Sequence, residues 1–210
     1  MNKIIDRTLF FRWGESSTCL EVSGDVFFFD TEENLRGINL LLQHNVGSVI
    51  LPVLPSFLLE EKPTTLTTLS REDFSFEVDD YTHTRAYLCD NNLVFSYTNC
   101  NKILDLVTLK ITENLYFILN EEKILQYIVV TDVSSIPFAG MPYYSAPLYL
   151  KEKEVRELYF LTYTLASDDV VQYVSILEKI QKNDYYDGQL ERVANDLVND
   201  LDEWLTIIAE

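Results

Sequence analysis

The chain has 210 residues, is 47% hydrophobic, and carries 16 Lys and Arg against 34 Asp and Glu, a formal net charge of −18. This composition is typical of a globular protein with a sizeable core and excludes an intrinsically disordered chain. Direct binding to nucleic-acid phosphates or to an anionic membrane depends on clustered cations, which such a charge balance disfavours. We therefore expect neither nucleic acid nor a membrane as a direct partner.

The N-terminal segment predicts strands followed by one helix. Residues 4–13 and 18–29 are apolar runs separated by a Gly- and Ser-containing turn, as expected for two strands. Asp30, with Glu33 three residues later, predicts a helix N-cap and a helix over about 31–44. The buried stripe of this helix would be Leu35, Ile38, Leu41 and Leu42.

The middle of the chain, residues 85–133, predicts an antiparallel meander. Aromatic and β-branched residues dominate it, and polar turns are expected at 90–92 and 120–123. A short alternating segment at 74–78 predicts one more strand. No internal repeat is evident in the sequence.

Beyond Pro147 the hydrophobic period becomes helical and predicts three helices, at about 151–165, 167–183 and 187–210. The apolar seam at 190–208 is wide, which favours packing within the chain over a homodimer. The sequence thus predicts an α+β fold, with a central, mostly antiparallel sheet, one N-terminal helix and three C-terminal helices. Residues 1–148 would form a β-rich domain and residues 149–210 a helical block packed on it as one structural unit.

No sequence motif indicates catalysis or a cofactor. Nucleophile-elbow, dinucleotide-binding and P-loop patterns are absent, and six glycines leave little material for a phosphate-binding loop. The cysteines, Cys19, Cys89 and Cys100, include no CxxC pair and predict neither a disulfide framework nor a zinc site. Without a recognisable signal peptide or transmembrane run, the sequence predicts a cytoplasmic protein. The missing catalytic motifs favour a protein that is not an enzyme over one that is, and no cofactor is predicted.

One carboxylate pair supports an alternative interpretation. Asp30 and Asp132 each follow an apolar strand, and the segments VFFFDT and VVTD resemble the aspartate-bearing strand ends of PIN-type ribonucleases. Sites in open α/β sheets lie at the carboxyl ends of strands, and two aspartates placed there could hold Mg²⁺ through their oxygens, which gives a metal-dependent hydrolase or nuclease as the alternative function. Those nucleases are helical between the two points, whereas this chain is β-rich there. Asp30 as a helix cap and Asp132 as a turn former is the simpler interpretation.

The function that the sequence favours is non-catalytic protein binding. An acidic inhibitor, immunity-type or adaptor protein would cover a basic surface of a partner, such as a nuclease or another nucleic-acid-binding protein. The last predicted helix has a strongly acidic face, which either binds the partner or is only solvated. The two tyrosines that precede this helix are candidate interface anchors. A structural subunit that docks through 190–208 is a further alternative. The candidate partner-binding residues are Tyr185, Tyr186, Asp196, Asp200, Asp202 and Glu203.

Overall fold

The computed structural model describes residues 1–5, 8–42, 64–65, 68–76, 85–89, 91–97, 106–138, 148–151, 153, 156 and 160. Within these residues the chain forms short strands and two 3₁₀ turns, at Arg71–Asp73 and Val133–Ser135. The strands are β1 Asn2–Ile5, β2 Thr8–Arg12, β3 Thr18–Val22, β4 Asp25–Phe29, β5 Leu35–Leu41, β6 Thr64–Thr65, β7 Arg85–Cys89, β8 Asn92–Ser96, β9 Val107–Thr112, β10 Leu115–Leu119, β11 Leu125–Val130, β12 Pro137–Phe138 and β13 Leu148–Tyr149.

The strands form two sheets. The first has the order β13-β12-β1-β2-β5-β4-β3 and the second the order β6-β9-β10-β11-β8-β7. Within each sheet the neighbouring strands are antiparallel, except that β12 runs parallel to β1 and β6 runs parallel to β9. The antiparallel strands predicted over 85–133 form the main part of the second sheet, but the predicted meander was wrong, because β8 pairs with β11 and not with β9.

Five strands of each sheet form an equivalent unit, so the chain contains an internal structural repeat. In the first repeat, β1 to β5 lie in the order β1-β2-β5-β4-β3, and in the second, β7 to β11 lie in the order β7-β8-β11-β10-β9. Both repeats have a register shift one residue before the β4–β5 and β10–β11 loops, at Phe28/Phe29 and Ile118/Leu119. This repeat is one of strand order and is not evident in the sequence.

The repeats also correspond outside the ladders. Trp13 follows β2 and Tyr97 follows β8, and their main-chain N–H groups donate to the carbonyls of Arg36 and Gln126 at 2.9 Å in both cases. Arg36 and Gln126 are each the second residue of their strand, β5 and β11. The same connection therefore recurs at the same place in both sheets.

The two sheets pack against each other through a core rich in aromatic side chains. The ring of Phe27 on β4 lies 6.3 Å from that of Phe117, the equivalent residue on β10 of the other sheet. Phe74, from the segment between the repeats, packs 6.0 Å from Phe27 and 5.5 Å from Phe117. The two contacts with Phe117 are edge-to-face, an arrangement that at these distances stabilises the core beyond the burial of apolar area. The core therefore joins both repeats and the segment 68–76.

The predicted α+β class was wrong, because the described part of the chain is mostly β-sheet and contains no continuous α-helix. The helix expected at 31–44 is instead a hairpin loop followed by β5. The Asp30 side chain accepts the main-chain N–H of Glu32, two residues on, as a helix N-cap can, and also that of Asn34, four residues on, which closes the loop. The local sequence before β5 therefore fits both structures. β5 pairs with both β2 and β4, and this pairing stabilises a strand at 35–41 instead of a helix.

The C-terminal prediction is described only at its start. Lys153, Arg156 and Phe160 are helical positions, and Arg156 donates to the carbonyls of Leu150 at 2.7 Å and of Lys151. The remainder of the three predicted helices lies outside the described residues. No helix in the described ranges has the length and hydrophobicity needed to cross a membrane.

Each repeat is followed in sequence by a short strand that joins the sheet of the other repeat. β6 follows the first repeat in sequence but pairs with β9 of the second repeat. β12 follows the second repeat but pairs with β1 of the first. The two repeats are consequently connected by main-chain hydrogen bonds as well as by their common core.

Candidate functional site: an acidic loop surface

The candidate surface begins with two equivalent hairpin loops, 30–34 between β4 and β5 and 120–124 between β10 and β11. In each, the first side chain, Asp30 or Asn120, accepts main-chain N–H bonds through Oδ1 from the residues two and four positions further on, at 2.8–3.0 Å. The fourth residue, Glu33 or Lys123, has φ 61° in both. Such side-chain to main-chain bonds hold both loops in one conformation.

The segment 68–76 brings the two loops together at one end of the molecule. Arg71 N–H donates to the carbonyl of Glu33 at 3.0 Å, and Ser75 N–H donates to the carbonyl of Lys123 at 2.9 Å. Isolated bridges pair Asn34 with Ser70 and Ser75 with Ile124. Three stretches that are far apart in sequence therefore form one continuous surface.

We define the acidic loop surface as the polar residues at the tips of these stretches. It carries six carboxylates and two cations. All of its members are exposed except Asp73, which is half-buried. They are Glu32, Glu33, Arg71, Glu72, Asp73, Glu121, Glu122 and Lys123.

The carboxylates at the base of this surface are held by hydrogen bonds. Asp73 accepts from the main-chain N–H and the hydroxyl of Ser70, each at 2.8 Å. The Ser70 main-chain bond is the largest influence on the Asp73 carboxyl, and it lowers the pKa together with the Ser70 hydroxyl and the nearby Lys123 charge, against partial desolvation. The base is thus fixed, while the glutamates around it extend into solvent.

Asp30 has a structural role in the first loop. Its Oδ2 accepts from Arg36 Nε at 2.7 Å and lies 2.6 Å from the second guanidinium nitrogen. Desolvation opposes its ionisation, but hydrogen bonds from Asn34, Arg36 and the Glu32 N–H outweigh that effect and lower the pKa of Asp30 to about 2. The carboxylate is charged at neutral pH, and the protein's own donors already occupy both of its oxygens.

Asp132 follows β11 at the other end of that strand from the 120–124 loop. Its Oδ1 accepts from Asn91 Nδ2 and from Ser134 Oγ, both at 2.9 Å, and its φ of 50° lies in the left-handed region that turns use. The hydroxyls of Ser135 and Ser134 and the Asn91 amide lower the pKa of Asp132 against partial desolvation. These contacts are those of a turn residue.

The metal-site alternative receives no support from this geometry. Asp30 follows β4 of the first sheet, whereas Asp132 follows β11 of the second, and each carboxylate is bound by donors of its own sheet and its turns. Among the residues that the structure describes, no group of three or more His, Cys, Asp or Glu side chains could hold a metal ion.

The predicted partner-binding residues of the C-terminal helix lie outside the described residues, and so does the apolar seam at 190–208. The sequence analysis did not identify the acidic loop surface. It assigned the acids at 32–33 to a helical first turn and those at 121–122 to a simple hairpin turn. The sequence did contain a signal for it. A short polar segment with two adjacent glutamates precedes an apolar strand twice, as DTEENL and NEEKIL.

A second feature that the sequence did not indicate is a buried acid, Asp25, at the start of β4. Its side chain is 0% exposed, its Oδ1 accepts from the Leu41 N–H at 2.6 Å, and its Oδ2 accepts from the Tyr97 hydroxyl. Burial raises the pKa of Asp25 to about 7, although the bonds from Tyr97 and Leu41 act in the opposite direction. Burial, followed by the Asp25 charge, raises the pKa of Tyr97 well above its usual value.

Comparison with known proteins does not assign the chain to a family. No family model, no curated protein and no solved structure matches it. The acidic loop surface and the buried Asp25 are therefore interpreted from their own chemistry.

Proposed function

We propose that this chain is a non-catalytic binding protein whose acidic loop surface covers a basic surface of a partner protein. The observation that carries the proposal is the convergence of loops 30–34 and 120–124 on the segment 68–76. This convergence gives one surface with six carboxylates and only two cations. A concentrated negative field of this kind steers a cationic partner into contact and selects against acidic ones.

The partner class follows from this charge. Proteins that bind nucleic acid present clustered Lys and Arg, so a nuclease or another nucleic-acid-binding protein is a fitting partner for an inhibitor, immunity-type or adaptor protein. The net charge of −18 supports the same choice. Cys19 is an exposed free thiol, which is compatible with the cytoplasmic location that the sequence predicts.

Charge reversal at two equivalent loop positions tests the proposal. The full chain would be immobilised and exposed to native-cell lysate at about 50 mM and about 500 mM salt, and captured proteins would be identified and sorted by isoelectric point. We expect basic proteins to be captured at low salt and to be lost at high salt. The double variant Glu32→Lys/Glu122→Lys should lose them even at low salt.

The matched control changes the net charge equally at the other end of the sheets. Glu21 on β3 and Glu113 in the β9–β10 turn are both exposed and lie away from the loops. Glu21→Lys/Glu113→Lys should retain the low-salt partner. Equal loss in both double variants would show that only net charge matters, and capture of no basic protein at either salt would refute the proposal.

A further inference from the structure

The buried pair Asp25 and Tyr97 connects the two repeats across their common core. Asp25 begins β4 in the first sheet, and Tyr97 directly follows β8 in the second. The Tyr97 ring lies 6.5 Å from Phe27 and 6.0 Å from Phe76, so the residue that donates this hydrogen bond packs against the aromatic core. A polar link of this kind, placed between two sheets, depends strongly on the charge of its carboxyl.

The other repeat shows that the architecture does not require this acid. Leu115 begins β10 as Asp25 begins β4, and it is 0% exposed. Trp13 follows β2 as Tyr97 follows β8, and its indole N–H donates to the Leu35 carbonyl at 2.9 Å. Asp25 of the first repeat therefore corresponds to Leu115 of the second, and Tyr97 of the second corresponds to Trp13 of the first. The fold thus accepts an apolar side chain at the position of Asp25.

The surroundings of Asp25 offer no compensating cation among the described residues. Tyr97 is the titratable group that contacts its carboxyl. On the neighbouring β3, Glu21 pairs with Val26 and is exposed on the other face, and on the segment 68–76, Asp73 binds Ser70. Within the described residues, protonation is the means by which the buried carboxyl becomes neutral.

From this geometry we propose that Asp25 and Tyr97 form a proton-dependent lock between the repeats: the sheets pack most stably when Asp25 is protonated, and ionisation destabilises them by burying a charge, although the Tyr97 bond itself favours the charged form. Ionisation places a full negative charge in the aromatic core, where the Tyr97 hydroxyl and the Leu41 N–H are its donors. The sheets would then separate more readily around this pair. This inference is independent of the acidic loop surface and of its partner.

The direction of the pH effect follows from the raised pKa. In the unfolded chain Asp25 titrates near 3.8, whereas in the folded chain it titrates at about 7. The stabilisation from the protonated acid is fully present below 3.8 and is lost as the pH rises to about 7. Between pH 5 and pH 8 the unfolding equilibrium constant should rise by about a hundred-fold from this group alone.

The test compares the wild-type chain with Asp25→Asn, which keeps polar atoms at the site but cannot ionise. Urea unfolding at pH 5 and pH 8 should show about a hundred-fold smaller pH effect in the variant, because the rest of the −18 charge is common to both. An equal pH dependence in the two proteins would overturn the proposal.

A direct titration of the wild-type carboxyl keeps the test decisive if Asp25→Asn does not fold. Carbon NMR of the Asp25 side chain should give a midpoint near 7, and exchange protection of the Leu41 amide should fall over the same pH range. Tyr97→Phe removes a donor to the carboxylate and should move the midpoint upward. A wild-type midpoint below about 5 would refute the lock.

Discussion

Asp30 and Asn120 occupy equivalent positions in the two repeats, and each accepts the same two main-chain N–H bonds through its Oδ1. One side chain is charged and the other neutral, but both close a loop whose fourth residue has φ 61°. The requirement at this position is an acceptor two bonds beyond Cβ, which Asp and Asn share. The negative charge of Asp30 has an additional role in the first loop, where it forms an ion pair with Arg36.

The first prediction concerns the second loop. Asn120→Ala should destabilise the fold by about 1–2 kcal/mol, because the N–H groups of Glu122 and Ile124 lose their acceptor. Asn120→Asp should be close to neutral, as Asp serves in the equivalent loop. Urea denaturation at pH 7 measures both, with Glu121→Ala as an exposed control from the same loop. A loss in Asn120→Asp as large as in Asn120→Ala would contradict the equivalence of the loops.

Acid should reveal the contribution of Asp30. Its pKa is lowered from 3.8 to about 2, so its ionised form stabilises the folded chain above 3.8, and this contribution is lost as the pH falls to about 2. Asp30→Asn should be less stable than wild type at pH 6, and the difference should shrink at pH 2. Thermal unfolding across this range provides the measurement. A difference that is constant with pH would mean that Asp30 acts only as a hydrogen-bond acceptor.

Gly37 should tolerate no side chain. A Cβ at this position would lie 2.7 Å from the main-chain carbonyl oxygen of Phe11 on the neighbouring strand, so backbone would have to move. Gly37→Ala should cost about 1–3 kcal/mol in unfolding experiments. At Gly14 the nearest obstacle is the Arg36 side chain at 2.8 Å, which can move, so Gly14→Ala should cost less. Equal costs would contradict the close approach of β2 and β5.

The aromatic core makes a fourth prediction. Phe27 is 0% exposed and contacts aromatic rings from the second sheet and from the segment 68–76, so Phe27→Ala should cost about 3–5 kcal/mol. Phe28, which is half-buried on the opposite face, provides the control, and Phe28→Ala should cost clearly less. A double-mutant cycle between Phe27 and Phe117 should show non-additive losses. Additivity would indicate that the sheets are not coupled through these rings.

Part of the fold was predictable from local patterns. The strands of 85–133 and the turn at 120–123 followed from alternation and turn residues, because both are properties of neighbours in sequence. The predicted helix at 31–44 was wrong because Asp30 is equally suited to begin a helix or an Asx-type loop. Which of the two forms depends on pairing of β5 with β2, which is distant in sequence. Predicting this required the sheet order.

The repeat was hidden for a related reason. The two units share the inward positions, such as Phe27 with Phe117 and Ile38 with Ile128, while most other residues differ. Common topology depends on which positions face the core, and few identities are needed to maintain it. The acidic loop surface was missed because its three stretches meet only after the segment 68–76 has bridged the loops.

The pairing of β6 and β12 with the sheet of the other repeat affects the tendency of the chain to aggregate. An open sheet edge presents unpaired N–H and C=O groups, on which strands of other molecules can grow. β6 covers the β9 edge and β12 covers the β1 edge. Each half of the sequence therefore protects an edge of the other half from pairing with strands of other molecules. Detachment of either short strand, or proteolytic loss of one half, would uncover a template for aggregation while much of the sheet beneath it was still intact.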